Sequence, residues 1–297
     1  MTRGAQDFLS LDALVTTSGI GEDVLGPLRQ QWGYAGVSSP SRKIILRYGS
    51  LAPVPPVAPV EVMVARMPLP VRVRGDELWL GEALHLEVQG GDVCLTLGNH
   101  PVPAEAWFLA WTEAHRAGGW LPLHSAVLMQ GEQAVGLTGV SGAGKSTAAL
   151  RLAGLGVTIL SEDQAWVRPE DQRVVGFDQH LRAFDDSVRT FAPHLLSQAA
   201  GHDAYGKLLL PLTHPGAQAT LQSLLVFGLS PEPSLAERIR ALWDATGVPL
   251  TQTGRQATAS GVGVLLRHLH IQGVTREDVL RVVRPRLGLD NWDQSGS

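Results

Sequence analysis

Residues 139 to 146 read Gly-Val-Ser-Gly-Ala-Gly-Lys-Ser. A short apolar run, Ala134-Val135-Gly136-Leu137-Thr138, precedes them. Lys145-Ser-Thr-Ala-Ala-Leu-Arg-Leu-Ala153 follows and is rich in helix formers. Strand, glycine-rich turn and helix in that order commit this part of the chain to an α/β unit. Gly139, Gly142 and Gly144 remove Cβ atoms where the backbone must wrap closely around a partner. Successive N–H groups of such a turn point inward at an anion. The helix N-terminus adds free N–H groups and a favourable dipole. The pattern is the complete G-x-x-x-x-G-K-[ST] phosphate loop. Gly139, Val140, Ser141, Gly142, Ala143 and Gly144 therefore form the phosphate cradle. Lys145 reaches the β- and γ-phosphates, Ser146 holds Mg²⁺, and Thr147 completes the nucleotide-binding set. The cofactors expected from this motif are ATP and Mg²⁺.

A chain of 297 residues accommodates one large or two modest domains. With 44% apolar and 18% charged residues it is globular rather than disordered. Lys plus Arg number 24 against 28 Asp plus Glu, so no basic excess suggests a nucleic-acid partner. Cys94 is the single cysteine, which excludes a disulfide within one chain and fits a reducing compartment. The first eight residues include Asp7 and have no clean apolar core, unlike a secretory signal. No apolar run approaches the ~20 residues of a membrane helix. These features lead us to expect a cytoplasmic protein with no membrane partner. They leave room for a homo-oligomer.

Residues 6 to 32 show mixed helical patterning through Phe8, Leu9, Leu11, Leu14, Leu25, Leu28 and Trp32. The proline-rich stretch 51 to 70 reads as extended loop or sheet edge, since proline cannot donate to a ladder. Val71 and Val73, then Gly75-Asp76, then Leu78 and Leu80 alternate as a hairpin does. Leu84 to Val88, Gly90-Gly91 and Val93 to Leu97 repeat that pattern. Residues 103 to 117 form a helix with Trp107, Ala110, Trp111 and Ala114 on one face. Gly118-Gly119 ends it. Beyond lie a strand from Leu123 to Met129, opened by His124, and the Ala134 to Thr138 strand. After the phosphate-loop helix come a buried strand from Val157 to Ser161 and a hairpin around Trp166-Val167 and Val174-Val175. A strand from Leu221 to Phe227 follows, then helices near 233 to 245, 255 to 269 and 275 to 286. Residues 292 to 297 read as a frayed terminus. The expected division is a smaller α+β domain over residues 1 to 120 and a P-loop domain over 121 to 297.

Glu162-Asp163 ends the strand after the phosphate-loop helix. A strand returning parallel to the first brings its C-terminal end back to the phosphate side of the sheet. A carboxylate there can hold Mg²⁺ or take a proton from an attacking hydroxyl. Lys207 and Arg182 are further cations that could stabilise charge on a transferred phosphate.

Leu-Pro-Leu-His-Ser-Ala-Val-Leu (121 to 128), the phosphate loop, and Leu-Ser-Glu-Asp-Gln (160 to 164) stand in one order. Together they resemble the HPr serine kinase family, most closely its short, divergent members. The resemblance spans about 50 residues, the stretch that holds the histidine strand, the phosphate loop and the acidic pair. It implies an α/β P-loop kinase domain with a mixed sheet like that of phosphoenolpyruvate carboxykinase. It also implies ATP-dependent phosphotransfer to a hydroxyl-bearing acceptor, most simply a serine of a protein, a peptide or a small molecule. By position, Lys145, Glu162, Asp163 and His124 would be catalytic, and Ser146 and Asp163 would serve Mg²⁺. The family's first acid is the base toward the acceptor. Here that acid is Glu162, one methylene longer than the family's aspartate, so Asp163 is the other candidate. The family's second signature, tied to dephosphorylation, has no counterpart, and the implied activity is that of a kinase alone. The N-terminal domain would present the acceptor. The competing reading is a nucleotide-binding regulator with little or no transfer. A transport ATPase is disfavoured by the lack of a Leu-Ser-Gly-Gly-Gln segment.

Overall fold

The structure is a computed structural model that describes residues 7–34, 36–37, 39–64, 67–212 and 217–289. The terminus read as frayed, 292 to 297, lies outside the described residues. The chain divides into two compact units, Met1–Trp120 with Val248–Ser260, and Leu121–Gly247 with Gly261–Ser297. Each mixes helices with a sheet containing parallel and antiparallel pairs, so the chain is α/β.

The first unit begins with β1 (Phe8–Ser10) and β2 (Ala13–Ser18), followed by α1 (Glu22–Trp32) and β3 (Arg42–Tyr48). The helical reading of residues 6 to 32 therefore holds only from Glu22 onward. Leu11 and Leu14 stand three apart, as on a helix face, but Val15, Thr16 and Thr17 are β-branched and favour a strand. Tertiary contacts also hold the Leu11-Asp12 turn: Asp12 accepts from Ser41 Oγ at 3.1 Å and from Arg42 Nε at 2.9 Å. Next come β4 (Val60–Val64), β5 (Met67–Arg74), β6 (Glu77–Leu80), β7 (Leu84–Gln89), β8 (Asp92–Leu97) and α2 (Ala104–Ala117). The eight strands form one sheet in the order β1-β2-β3-β8-β7-β6-β5-β4. Only β2 with β3 and β3 with β8 pair in parallel. Pro68 and Pro70 fall where β5 pairs only with the edge strand β4, and β6 joins from Val71. Missing donors are tolerated at such an edge. Trp32 of α1 stacks on Trp111 of α2 at 5.4 Å, with Phe8 at 6.2 Å from Trp111.

The second unit comprises β9 (Leu121–His124), β10 (Ala126–Gln130), β11 (Gln133–Thr138), α3 (Lys145–Gly154), β12 (Thr158–Ser161), β13 (Gln164–Arg168), β14 (Arg173–Gly176) and β15 (His180–Ala183). It continues with α4 (Asp185–Phe191), a 3₁₀ turn (Pro193–Gln198), β16 (Leu208–Pro211), β17 (Gln218–Phe227) and α5 (Leu235–Thr246). The chain then passes through α6 (Gln252–His268) to β18 (His270–Val274) and α7 (Val279–Arg286). The sequence suggested one strand from Leu123 to Met129, opened by His124. Instead His124 closes β9, and the chain changes neighbours at Ser125. β9 pairs with β13, whereas β10 pairs with β11 and β12.

The main sheet runs β12-β10-β11-β17-β14-β13-β9, with β18 beside β17. β12 and β11 are not neighbours. Both are antiparallel to β10, which lies between them, so they run in the same direction. β17 is parallel to β11 and to β18. Alternate residues fill two separate cores. Leu128, Val135, Leu137 and Leu225 pack with α3 and α7. Val127, Ala134, Leu224 and Val226 pack with α5 and with Val262 and Leu265 of α6. A sheet covered by helices on both faces explains why its strands read as near-continuous apolar runs.

The segment Val248–Ser260, expected with the P-loop domain, belongs to the first unit. Glu113 of α2 is fully buried and accepts from Leu250 N at 3.1 Å, Thr251 N at 2.9 Å and Thr251 Oγ1 at 2.9 Å. Arg116 donates to Thr258 Oγ1 at 2.8 Å, and Asp76 accepts from Thr253 N at 2.6 Å.

Candidate active site

The C-terminal ends of β11, β12, β17 and β18 point the same way, and four pieces of chain gather there: the phosphate loop, the acidic pair, Phe227 and Arg276. This is the end of an open α/β sheet where ligands bind. Gly139, Gly142 and Gly144 have φ of 142°, 79° and 118°. At Gly139 a Cβ would also stand 2.9 Å from the Phe227 Cβ, so both conformation and space demand glycine.

Lys145 opens α3, and its ammonium donates to the Gly139 carbonyl at 2.7 Å. Burial lowers its pKa, while the charges of Asp163 and Glu162 act in the other direction. Ser146 donates its hydroxyl to Glu162 Oε1 at 2.7 Å. The other oxygen of Glu162 accepts from Arg182 Nε at 2.9 Å, with Nη2 at 2.8 Å. The Glu162 side chain is only 5% exposed. Burial raises its pKa, opposed by the Ser146 hydrogen bond and by Arg182. Asp163 looks elsewhere: its Oδ1 lies 3.4 Å from His124 Nδ1, and both side chains are about half exposed, at 43% and 50%. The backbone locks the two strands together here, with Ser125 N donating to Asp163 O at 2.9 Å.

Lys145, Ser146, Glu162, Asp163 and His124 thus fall into two adjoining groups. Ser146 is with Glu162 rather than Asp163, and Asp163 is with His124. Of the two further cations, Arg182 joins the site through Glu162, and Lys207 lies 5.5 Å from the Phe184 ring centroid.

Two other contributors carry no signal in the sequence. Asp178 lies between β14 and β15 and caps the backbone of the acidic turn. Arg276, just after β18, donates from Nε to Ala143 O at 2.9 Å and from Nη2 to Gly142 O. It is 133 and 134 residues from the two positions it grips, and the parallel pairing of β18 beside β17 brings it there.

The paired oxygens of Ser146 and Glu162 suit Mg²⁺. A hydroxyl and a carboxylate are hard oxygen ligands, and Mg²⁺ characteristically takes one or two protein carboxylates plus phosphate oxygens. Among the described residues no group of three or more His, Cys, Asp or Glu side chains could hold a metal alone. Among the described residues no helix is long and apolar enough to cross a membrane. No protein-family model matches the chain, and no curated protein matches it significantly.

Proposed function

We propose that this chain is an ATP-dependent kinase that transfers the γ-phosphoryl group to a hydroxyl, most simply a serine of a protein, peptide or small molecule. Its second unit would be a P-loop domain of the HPr serine kinase type. One observation carries the reading: the motif's metal-binding hydroxyl, Ser146, lies 2.7 Å from a buried carboxylate, while the adjacent carboxylate pairs with a histidine at 3.4 Å. That separation assigns different work to the two acids. Ser146 and Glu162 would hold Mg²⁺, whose chemistry here is neutralisation of charge on the phosphates. This reverses the roles implied by the family's order of acids. The Gly139–Gly144 backbone and Lys145 bind and orient the phosphates. Asp163, with His124 beside it, accepts the proton of the acceptor hydroxyl. The acceptor oxygen forms its bond to the γ-phosphorus as the bond to the β–γ bridging oxygen breaks, and the electron pair leaves with ADP. Positioning and charge stabilisation supply most of the rate in such reactions.

The test is incubation of the whole chain with γ-labelled Mg-ATP and cell lysate, fractionated into protein and small-molecule pools, beside a thermal-shift titration. Label should appear in one pool and disappear with Asp163→Asn. Ligand at a hundredfold Kd should stabilise the chain by about 2.7 kcal/mol, and Lys145→Ala should remove most of that. A melting temperature unmoved by saturating Mg-ATP, GTP or pyrophosphate would sink the reading. Binding without transfer to any pool would favour a nucleotide-binding regulator.

A further inference from the structure

The turn between β12 and β13 owes its shape to one carboxylate outside it. Asp178 Oδ2 accepts from Ser161 Oγ at 2.7 Å, Glu162 N at 2.9 Å, Asp163 N at 2.7 Å and Gln164 N at 2.8 Å. Three consecutive N–H groups converge on one oxygen only when the backbone curls into a concave nest, and such nests bind anions. In this protein the anion is a side chain of the same chain. It sets a third negative charge beside Glu162 and Asp163. What the charge adds is strength and direction, because hydrogen bonds to an ionised acceptor are roughly twice as strong as neutral ones.

We propose that Asp178 is the positioning residue of the site: by gripping residues 161 to 164 it presents Glu162 to Ser146 and Asp163 to His124. The work done by the two acids rests on the kinase reading above; the grip itself does not. Gln164 N is the last donor to Asp178, and Gln164 also pairs with His124 across β13 and β9. The same anchor therefore sets the register of the strand that carries the histidine.

The test compares Asp178→Ala and Asp178→Asn in the full chain by two independent readouts. The first is hydrogen exchange of the 162 to 164 amides without nucleotide. Exchange should be fastest in the alanine variant and intermediate in the asparagine variant, whose amide oxygen still accepts. The second is Mg²⁺ dependence. In Asp178→Ala, ATP affinity without metal should be unchanged, while Mg²⁺ affinity and kcat fall by roughly 10- to 100-fold, the range for residues that orient a site from behind. Asparagine should restore part of both. Protected amides in the alanine variant, or undiminished Mg²⁺ dependence and kcat, would overturn the proposal. If that variant does not fold, Asp178→Asn decides, and unchanged exchange with unchanged Mg²⁺ dependence overturns it. If the unaltered chain binds no nucleotide, the kinase reading falls, and amide exchange alone judges Asp178.

Discussion

Glu162 holds its carboxylate between the Ser146 hydroxyl and the Arg182 guanidinium, almost out of water. Burial is the larger influence and raises its pKa above the ordinary glutamate value. The sign follows from linkage. A carboxylate raised in the folded state contributes stability that is fully present below its unfolded pKa and is lost as pH rises through the folded value. Metal binding needs the ionised form, so the acid limb of Mg²⁺-dependent transfer should lie above the pH at which an ordinary glutamate titrates. Arg182→Gln removes the opposing charge and should move that limb further up; pH–rate profiles of the two proteins check this. The neighbouring acids should separate in mutants. Glu162→Gln should remove the Mg²⁺ dependence of ATP binding. Asp163→Asn should keep that dependence and slow transfer by about 10²- to 10⁴-fold, the usual range for a general base. Binding isotherms with and without Mg²⁺, beside transfer rates, resolve the assignment, and the opposite pattern would restore Asp163 as the metal ligand.

At the scale of elements, β11, the loop and α3 were legible because each reports its own physics: apolar strand, positive-φ glycines, helix formers. The two glycine-turn hairpins of the first unit were legible for the same reason. Gly139 gives the sharpest test. Its φ of 142° and the Phe227 Cβ, 2.9 Å from where its own Cβ would stand, oppose any side chain. Gly139→Ala should cost about 1–3 kcal/mol of stability, the scale of one strained backbone position, and weaken ATP binding as the loop shifts. Urea unfolding and nucleotide titration measure the two effects. A variant with unchanged stability and affinity would show that β17 yields freely. What no local pattern revealed is the break at Ser125. Residues 121 to 130 are apolar except for His124, Ser125 and Gln130, and a polar pair inside an apolar run looks the same whether one strand or two pass through it. The break becomes visible only when β13 claims one half and β11 with β12 the other.

For the molecule as a whole, the unexpected assignment is that of residues 248 to 260 to the first unit. One of its anchors is Glu113, a buried carboxylate 3.3 Å from Arg116 that also accepts from Leu250 and Thr251. Removing one member of a buried ion pair leaves the other uncompensated. Glu113→Ala should therefore cost about 3–5 kcal/mol, read from chemical unfolding. A loss below about 1 kcal/mol, the worth of an exposed ion pair, would mean that the segment is held by something else. The same contacts bear on truncation. A chain starting at Leu121 would keep residues 248 to 260 but lose Asp76 and Glu113, their hydrogen-bond acceptors within the first unit.

The amino-acid sequence by itself determined the glycine-rich loop, the acids that follow the next strand, and the hairpins and helices whose periodicity is local. The hairpins and helices repeat every two or three to four residues, and the loop and the acids are each contiguous in the chain, so none needs a distant partner to be read. Tertiary structure alone decided which acid faces Ser146, because adjacent residues are told apart only by what packs against each. It alone brought Arg276 to the loop, Asp178 to the acidic turn and Glu113 to Thr251. Each of these is a single polar residue whose partner lies outside its own element. Only the paired strands and buried faces supply the geometry that turns such a residue into a contact.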